Sequence, residues 1–223
     1  MIGLRRNGLV RLSDCGWADV LARPWDGVAR ECLAYWAAYH LPLVVTRQTQ
    51  RLADDAIALG LPAPLQWDRR RIALPVPAPL LLAPDDFPAA TEITPNLPLA
   101  ARPAWTALCD QLAAAGIAAR VYGSHGWQRL TGLRYLHADS DVDLRLEVND
   151  DHAADAAVAL LDNVAIGQPR IDGELAFADG RDVAWREWRA WRSGFADRVL
   201  VKRLDGVALE AAPPAAAAAL IVA

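Results

Sequence analysis

Asp141 and Asp143 stand two apart where Val142, Leu144, Leu146 and Val148 alternate with Asp143, Arg145 and Glu147. Such alternation predicts a strand with two faces, from which residues two apart project on the same side. Two carboxylates held that close repel unless a cation lies between them or one takes up a proton. A hard divalent cation such as Mg²⁺, which favours carboxylate, water and phosphate oxygens, resolves the conflict, so Asp141 and Asp143 are the expected metal ligands. Upstream, Gly123-Ser124 follows a predicted strand over 117–122 and opens a short predicted helix over 125–131. A helix opening there aims backbone N–H groups and its positive dipole end at an anion, typically phosphate. A phosphate nest beside a carboxylate pair is the outline of a phosphoryl- or nucleotidyl-transfer site.

Blander readings compete. An Asp-x-Asp on a polar strand face is often solvated surface. Asp139-x-Asp141-x-Asp143 imitates the start of a calcium loop, but Leu144 fills the place that needs glycine. Gly123-Ser124-His125-Gly126 is not a nucleophile elbow, because Tyr122 stands where the first glycine belongs. His125 is placed to approach a phosphate, His137 reads as a loop residue, and Trp127 is expected to support the turn by packing. In Trp185-Arg186-Glu187-Trp188-Arg189-Ala190-Trp191-Arg192, Arg186 and its neighbours would grip phosphates or an acidic partner, against the simpler view of core tryptophans and a solvated arginine face. Arg69-Arg70-Arg71 would meet a partner protein, against the simpler view of a solvated charge run.

The positioning elements divide the chain. Pro84, Pro88, Pro95, Pro98 and Pro103 mark residues 84–103 as a connector that excludes regular helix. Before it, a smaller α+β module is expected over 1–90, with a helix over 26–39 and strands over 43–47 and 71–76. After it, residues 91–210 read as an α+β domain with a mixed sheet and flanking helices. Trp105, Leu108, Leu112 and Ala115 predict a helix over 104–115 ending at Gly116. Asp151–Leu161 predicts another, capped by Asn149 or Asp150. Asp179-Gly180 and Asp205-Gly206 predict two hairpins, which would place Glu187 on a strand. Residues 211–223 read as a loose tail.

Composition sets the outer bounds. The chain has 223 residues, a formal charge of −4, and 54% hydrophobic against 22% charged residues. That excludes general disorder. A pI near 5.5 argues against coating nucleic acid by charge, and no apolar run approaches a membrane span. Cys15, Cys32 and Cys109 form no metal-binding or disulfide framework. A soluble cytoplasmic protein is expected.

Gly123-Ser124 followed by Asp141-Val142-Asp143-Leu144 resembles the signature of the DNA polymerase β-like nucleotidyltransferase superfamily, with a longer-than-usual 16 residues between Ser124 and Asp141. The insert WQRLTGLRYL, with PLVVTRQ at 42–48, the text at 72–77 and DGELAFADGRDVAWREW at 172–188, resembles the phosphoribosyl-dephospho-CoA transferases. These are the holo-acyl-carrier-protein synthases of bacterial malonate decarboxylase. The resemblance runs from about residue 13 to 210, loosest in the N-terminal third, where Arg47-Gln48 replaces an expected arginine pair.

It implies transfer of a phosphoribosyl-dephospho-CoA group from 2′-(5″-triphosphoribosyl)-3′-dephospho-CoA to a serine of the apo acyl carrier subunit of malonate decarboxylase, with release of pyrophosphate. It implies a nucleotidyltransferase-like sheet, Mg²⁺, paired catalytic Asp141 and Asp143, and Gly123 and Ser124 on the outgoing phosphates. A third carboxylate is expected on a neighbouring strand. Arg170-Ile171-Asp172 resembles the polymerase segment and favours Asp172, with Glu174 and Glu187 as alternatives. Rival functions are a nucleotidyltransferase using ordinary nucleoside triphosphates on a small molecule or RNA, and a non-catalytic carrier-binding module.

Overall fold

The structure is a computed structural model that describes residues 3–48 and 56–211. The expected tail therefore lies outside the described residues, apart from Ala211.

The first sheet is built from β1 (Leu9–Leu12), β2 (Leu43–Val45), β3 (Ala56–Pro62), β4 (Arg71–Pro77) and β5 (Leu81–Asp85), with helices α1 (Asp14–Leu21) and α2 (Gly27–Ala38) between β1 and β2. Its order is β4-β3-β2-β1-β5, every pairing antiparallel. Strand β4 shows why the chain folds so locally: Ile72, Leu74 and Val76 are buried while Arg71, Ala73 and Pro75 face out. Its prolines are tolerated because it is an edge strand. Both helices start on side-chain caps, Ser13 Oγ accepting from Gly16 N–H and Asp26 Oδ1 from Ala29 N–H.

The proline-rich connector forms 3₁₀ turns over Ala90–Asn96 and Leu99–Ala101. It is packed rather than loose: Ile93 is fully buried, and Trp105 Nε1 donates to the Ala90 carbonyl at 3.0 Å.

The second sheet follows from α3 (Arg102–Ala114), β6 (Ala118–Tyr122), α4 (Gly123–Thr131), β7 (Val142–Val148), α5 (Asp151–Asn163), β8 (Ile171–Phe177), β9 (Asp182–Ala184), α6 (Trp185–Arg192), β10 (Arg198–Lys202) and β11 (Val207–Ala211). The order is β11-β10-β9-β8-β7-β6, antiparallel except for the parallel pair β7–β8, which α5 connects. Val142, Leu144, Leu146 and Val148 share a core with Trp105 and Leu108 of α3, Ala157 and Leu161 of α5, and the three tryptophans of α6. The opposite face of β7 keeps its polar side chains for the site. The mixed α+β fold agrees with the sequence reading.

Two expectations are corrected. The strand expected to carry Glu187 ends at Ala184, and a helix begins at Trp185. Tryptophans three apart bury one face of a helix, as Trp185, Trp188 and Trp191 do here. Asp141 precedes β7 rather than lying on it, although it stays half-buried beside Asp143.

The insert after α4 runs back to the first sheet. Trp127 and Tyr135 belong to the N-terminal core, Trp127 edge-on to Phe87 with centroids 5.4 Å apart. Tyr135 Oη donates to the Pro62 carbonyl at 2.8 Å. Among the described residues, no helix is long and apolar enough to cross a membrane.

Candidate active site

The site lies where β6, β7 and β8 present their polar face beside the N-terminus of α4. Parallel pairing sets Asp143 directly opposite Asp172, and antiparallel pairing sets it opposite Tyr122. Tyr122 runs straight into α4, so the helix opens against Asp143. A Cβ built on Gly123 would stand 1.8 Å from Asp143 Oδ2, and the backbone there has φ +57. Only glycine admits both the contact and the conformation. Ser124 follows in the first turn of α4 and is half-buried.

The carboxylates crowd one another. Burial, then the charges of Asp172, Asp141 and Glu174, push the Asp143 carboxyl up to about 6. Asp141 Oδ2 accepts from Arg170 Nη2 at 2.5 Å, and the same nitrogen lies 3.6 Å from Asp172 Oδ2. Asp172 Oδ1 accepts from Gly173 N–H and from Arg186 Nη1, both at 2.9 Å. Arg186 also donates to the Ile171 carbonyl at 2.8 Å and stacks over Trp185, 4.2 Å from its ring centroid. Arg170 and Arg186 thus neutralise the outer two carboxylates while Asp143 has no such partner among the described residues. Tyr122 is half-buried, and desolvation, then the charges of Glu174 and Asp143, hold its phenol well above the ordinary range.

Glu174 has a different position. It is 5% exposed, and its carboxylate accepts from Arg6 at 2.6 and 3.1 Å, from Asn7 at 3.2 Å and from Lys202 at 2.6 Å. Arg6 also reaches Asp182 at 3.0 Å. Despite burial, hydrogen bonds and charges from Arg6 and Lys202 hold the Glu174 carboxyl below its usual range. Lys202 is the chain's single lysine, and it serves this cluster. Glu174 therefore ties the N-terminal segment to β8, with its oxygens already committed.

The other expected site residues scatter. Glu187 is exposed on α6 and accepts from Leu200 N–H at 3.2 Å, away from the other carboxylates. His125 is 3% exposed, its Nδ1 without a hydrogen-bond partner among the described residues, and burial lowers its basicity. It faces the interior rather than a phosphate. Trp127 packs, as expected. Arg192 and Arg189 pair with Asp155 and Asp162 of α5, leaving Arg186 as the arginine of α6 that reaches the carboxylates. Sequence reasoning missed Arg170 as the partner of Asp141, although it lies inside the quoted Arg170-Ile171-Asp172 segment.

Asp141, Asp143 and Asp172 have the donor chemistry of a hard-cation site, and the raised Asp143 reports its burial first and then the negative charge of its neighbours. Among the described residues, however, no three His, Cys, Asp or Glu side chains converge on a common point, because Asp141 and Asp172 turn toward their arginines.

A glycine–serine helix start set against aspartates on adjoining strands of a mixed sheet is an arrangement suited to a group-transfer enzyme, a transferase. The chain belongs to the phosphoribosyl-dephospho-CoA transferase family. The family model for the MdcG C-terminal domain matches residues 88–213 and that for the MdcG N-terminal domain residues 5–80. A phosphoribosyl-dephospho-CoA transferase of Xanthomonas campestris pv. campestris is 37% identical over 193 residues, covering 86% of this chain and 89% of that protein. One of Bradyrhizobium diazoefficiens is 35% identical over 212 residues, covering 92% and 88%. One of Pseudomonas putida is 38% identical over 116 residues, covering 52% and 54%. No solved structure matches the chain.

Proposed function

We propose that this chain transfers the phosphoribosyl-dephospho-CoA group of 2′-(5″-triphosphoribosyl)-3′-dephospho-CoA to a serine of the apo acyl carrier subunit of malonate decarboxylase. The observation that carries the reading is the contact between Gly123 and Asp143, which sets a phosphate-binding helix start against the carboxylates. The serine oxygen bonds to the α-phosphorus as the bond from that phosphorus to the β-phosphate's bridging oxygen breaks. Pyrophosphate leaves with the electron pair, and the hydroxyl proton passes to a carboxylate of the group. A phosphodiester remains.

The chain's own groups divide the work. Backbone N–H groups at Gly123 and Ser124 hold the outgoing phosphates, where the helix dipole favours negative charge. Asp141 and Asp143, with Asp172 beside them, would hold a divalent cation, taken to be Mg²⁺, which supplies the charge that neutralises the triphosphate. Arg170 and Arg186 orient the outer carboxylates. The Arg6–Glu174 pair keeps the N-terminal segment against β8. The reaction is read as cytoplasmic, in keeping with three cysteines that form no disulfide.

The test incubates the protein with apo carrier and the triphosphoribosyl precursor, with Mg²⁺ or with EDTA, and weighs the carrier by mass spectrometry. The expected result is a metal-dependent gain equal to the phosphoribosyl-dephospho-CoA group. No gain with verified substrates would overturn the reading, and modification from an ordinary nucleoside triphosphate would replace it.

A further inference from the structure

Beside the Gly123-Ser124 turn opens a cleft of about 370 Å³, within the range of small-ligand sites. Its walls come from both modules. One is the helix start with Asp143; the other is the edge of the first sheet, which contributes Arg69 and Arg71. Most arginines around the site are paired: Arg6 with Glu174, Arg170 with Asp141, Arg186 with Asp172. Arg70, between the two, turns to Asp26 at 2.6 Å. Arg69 and Arg71 make no ion pair or side-chain hydrogen bond among the described residues, and both are exposed along the cleft.

Arg70 N–H donates to the Trp67 carbonyl at 3.2 Å, closing a turn whose central residues are Asp68 (φ 57) and Arg69 (φ 52). Both central residues are left-handed, the conformation of a type I′ turn, whose second central place strongly favours glycine. An arginine there holds strained backbone, so the turn itself does not account for the residue. What the strained position does provide is a guanidinium on the wall facing a helix N-terminus. Positive charge then meets the cleft from two sides, and Asp143 is the carboxylate that lines it.

We propose that Arg69 and Arg71 form, with the start of α4, a diphosphate-binding clamp through which the N-terminal module grips the substrate. The inference deepens the transfer reading and rests on it. Guanidinium forks match phosphate oxygens in paired, charge-assisted hydrogen bonds. Two parts of the precursor carry this chemistry: the β,γ-diphosphate that leaves, and the diphosphate bridge within dephospho-CoA.

The test measures binding of inorganic pyrophosphate with Mg²⁺, and separately of dephospho-CoA, by titration calorimetry. It compares the wild type with Arg69→Gln, Arg71→Gln and, as a control, Arg70→Gln. Neither titration needs the carrier, so a protein that fails to modify the carrier still reports on the cleft. The expected result is at least a tenfold loss of affinity in Arg69→Gln and in Arg71→Gln with Arg70→Gln unchanged. A loss confined to pyrophosphate assigns the clamp to the leaving group, and one confined to dephospho-CoA assigns it to the transferred moiety. Less than a threefold loss for both ligands, or a wild type that binds neither, would overturn the proposal. Arg69→Gly separates folding from binding: it relieves the left-handed backbone, so its denaturation midpoint should not fall while its affinity does.

Discussion

Asp143→Asn isolates the electrostatic tension at the centre of the site. In the fold, the Asp143 carboxyl moves from an ordinary 3.8 to about 6, through burial and then through Asp172, Asp141 and Glu174. A carboxyl raised on folding stabilises the protein most when protonated, below about pH 4, and that stability disappears as pH rises through about 6. At about 1.36 kcal/mol per tenfold, the full span is about 3 kcal/mol, of which about half falls between pH 5 and pH 8. Asparagine is a neutral stand-in of nearly the same shape and still fits against Gly123. In EDTA at pH 8, Asp143→Asn should therefore be more stable than the wild type by up to about 3 kcal/mol. The advantage should shrink by about half at pH 5. Urea denaturation at the two pH values reads this directly, and carrier modification should be abolished throughout. Millimolar Mg²⁺ should raise the midpoint of the wild type at pH 8 and leave that of the variant unchanged. Equal pH dependence in the two proteins, or a variant less stable at pH 8, would refute the reasoning.

Other substitutions separate the neighbouring roles. Gly123→Ala sets a methyl group 1.8 Å from Asp143 Oδ2. Displacing either group should lower the transfer rate about 100-fold or more, measured in single-turnover assays. Glu174→Gln leaves Arg6 and Lys202 without their shared buried counter-charge and should cost about 3–5 kcal/mol in urea denaturation. A loss below 1 kcal/mol would mean that Glu174 is not the tie between the modules. Glu187→Gln, on an exposed helix face, should keep transfer within about twofold and stability within about 0.5 kcal/mol of the wild type. A severe loss of kcat would restore Glu187 to the site.

Local pattern made most of the second sheet legible. The alternation over Val142–Val148 located β7, the Asp-Gly pairs located both hairpins, and Asp150 capped α5 as its type suggests. The failure at α6 has a local cause too. Asp182-Val183-Ala184 begins as a strand, and only the spacing of three tryptophans, read as one face, signals the change of element. Asp143 opposite Asp172 follows from parallel pairing, which a sequence motif can suggest only through resemblance. The Arg6–Glu174 pair joins residues 168 apart, beyond any periodicity. Glu174 consequently stood as an alternative for the third carboxylate, when its oxygens are engaged by Arg6, Asn7 and Lys202. Arg69 and Arg71 looked like ordinary surface for the same reason: the helix start facing them comes from the other module.

Trp127 grows from the helix that begins at Gly123, yet its ring, with Tyr135, is buried in the N-terminal core. The orientation of the Gly123-Ser124 turn is therefore anchored in a module that supplies none of Asp141, Asp143 and Asp172. Gentle heating that loosens the first sheet would silence catalysis while the second sheet still gives its full circular dichroism. A chain cut between Phe87 and Pro88 would leave one fragment lacking two aromatic rings and another displaying them to water. Such halves would be poor proteins alone but natural candidates for complementation when expressed together.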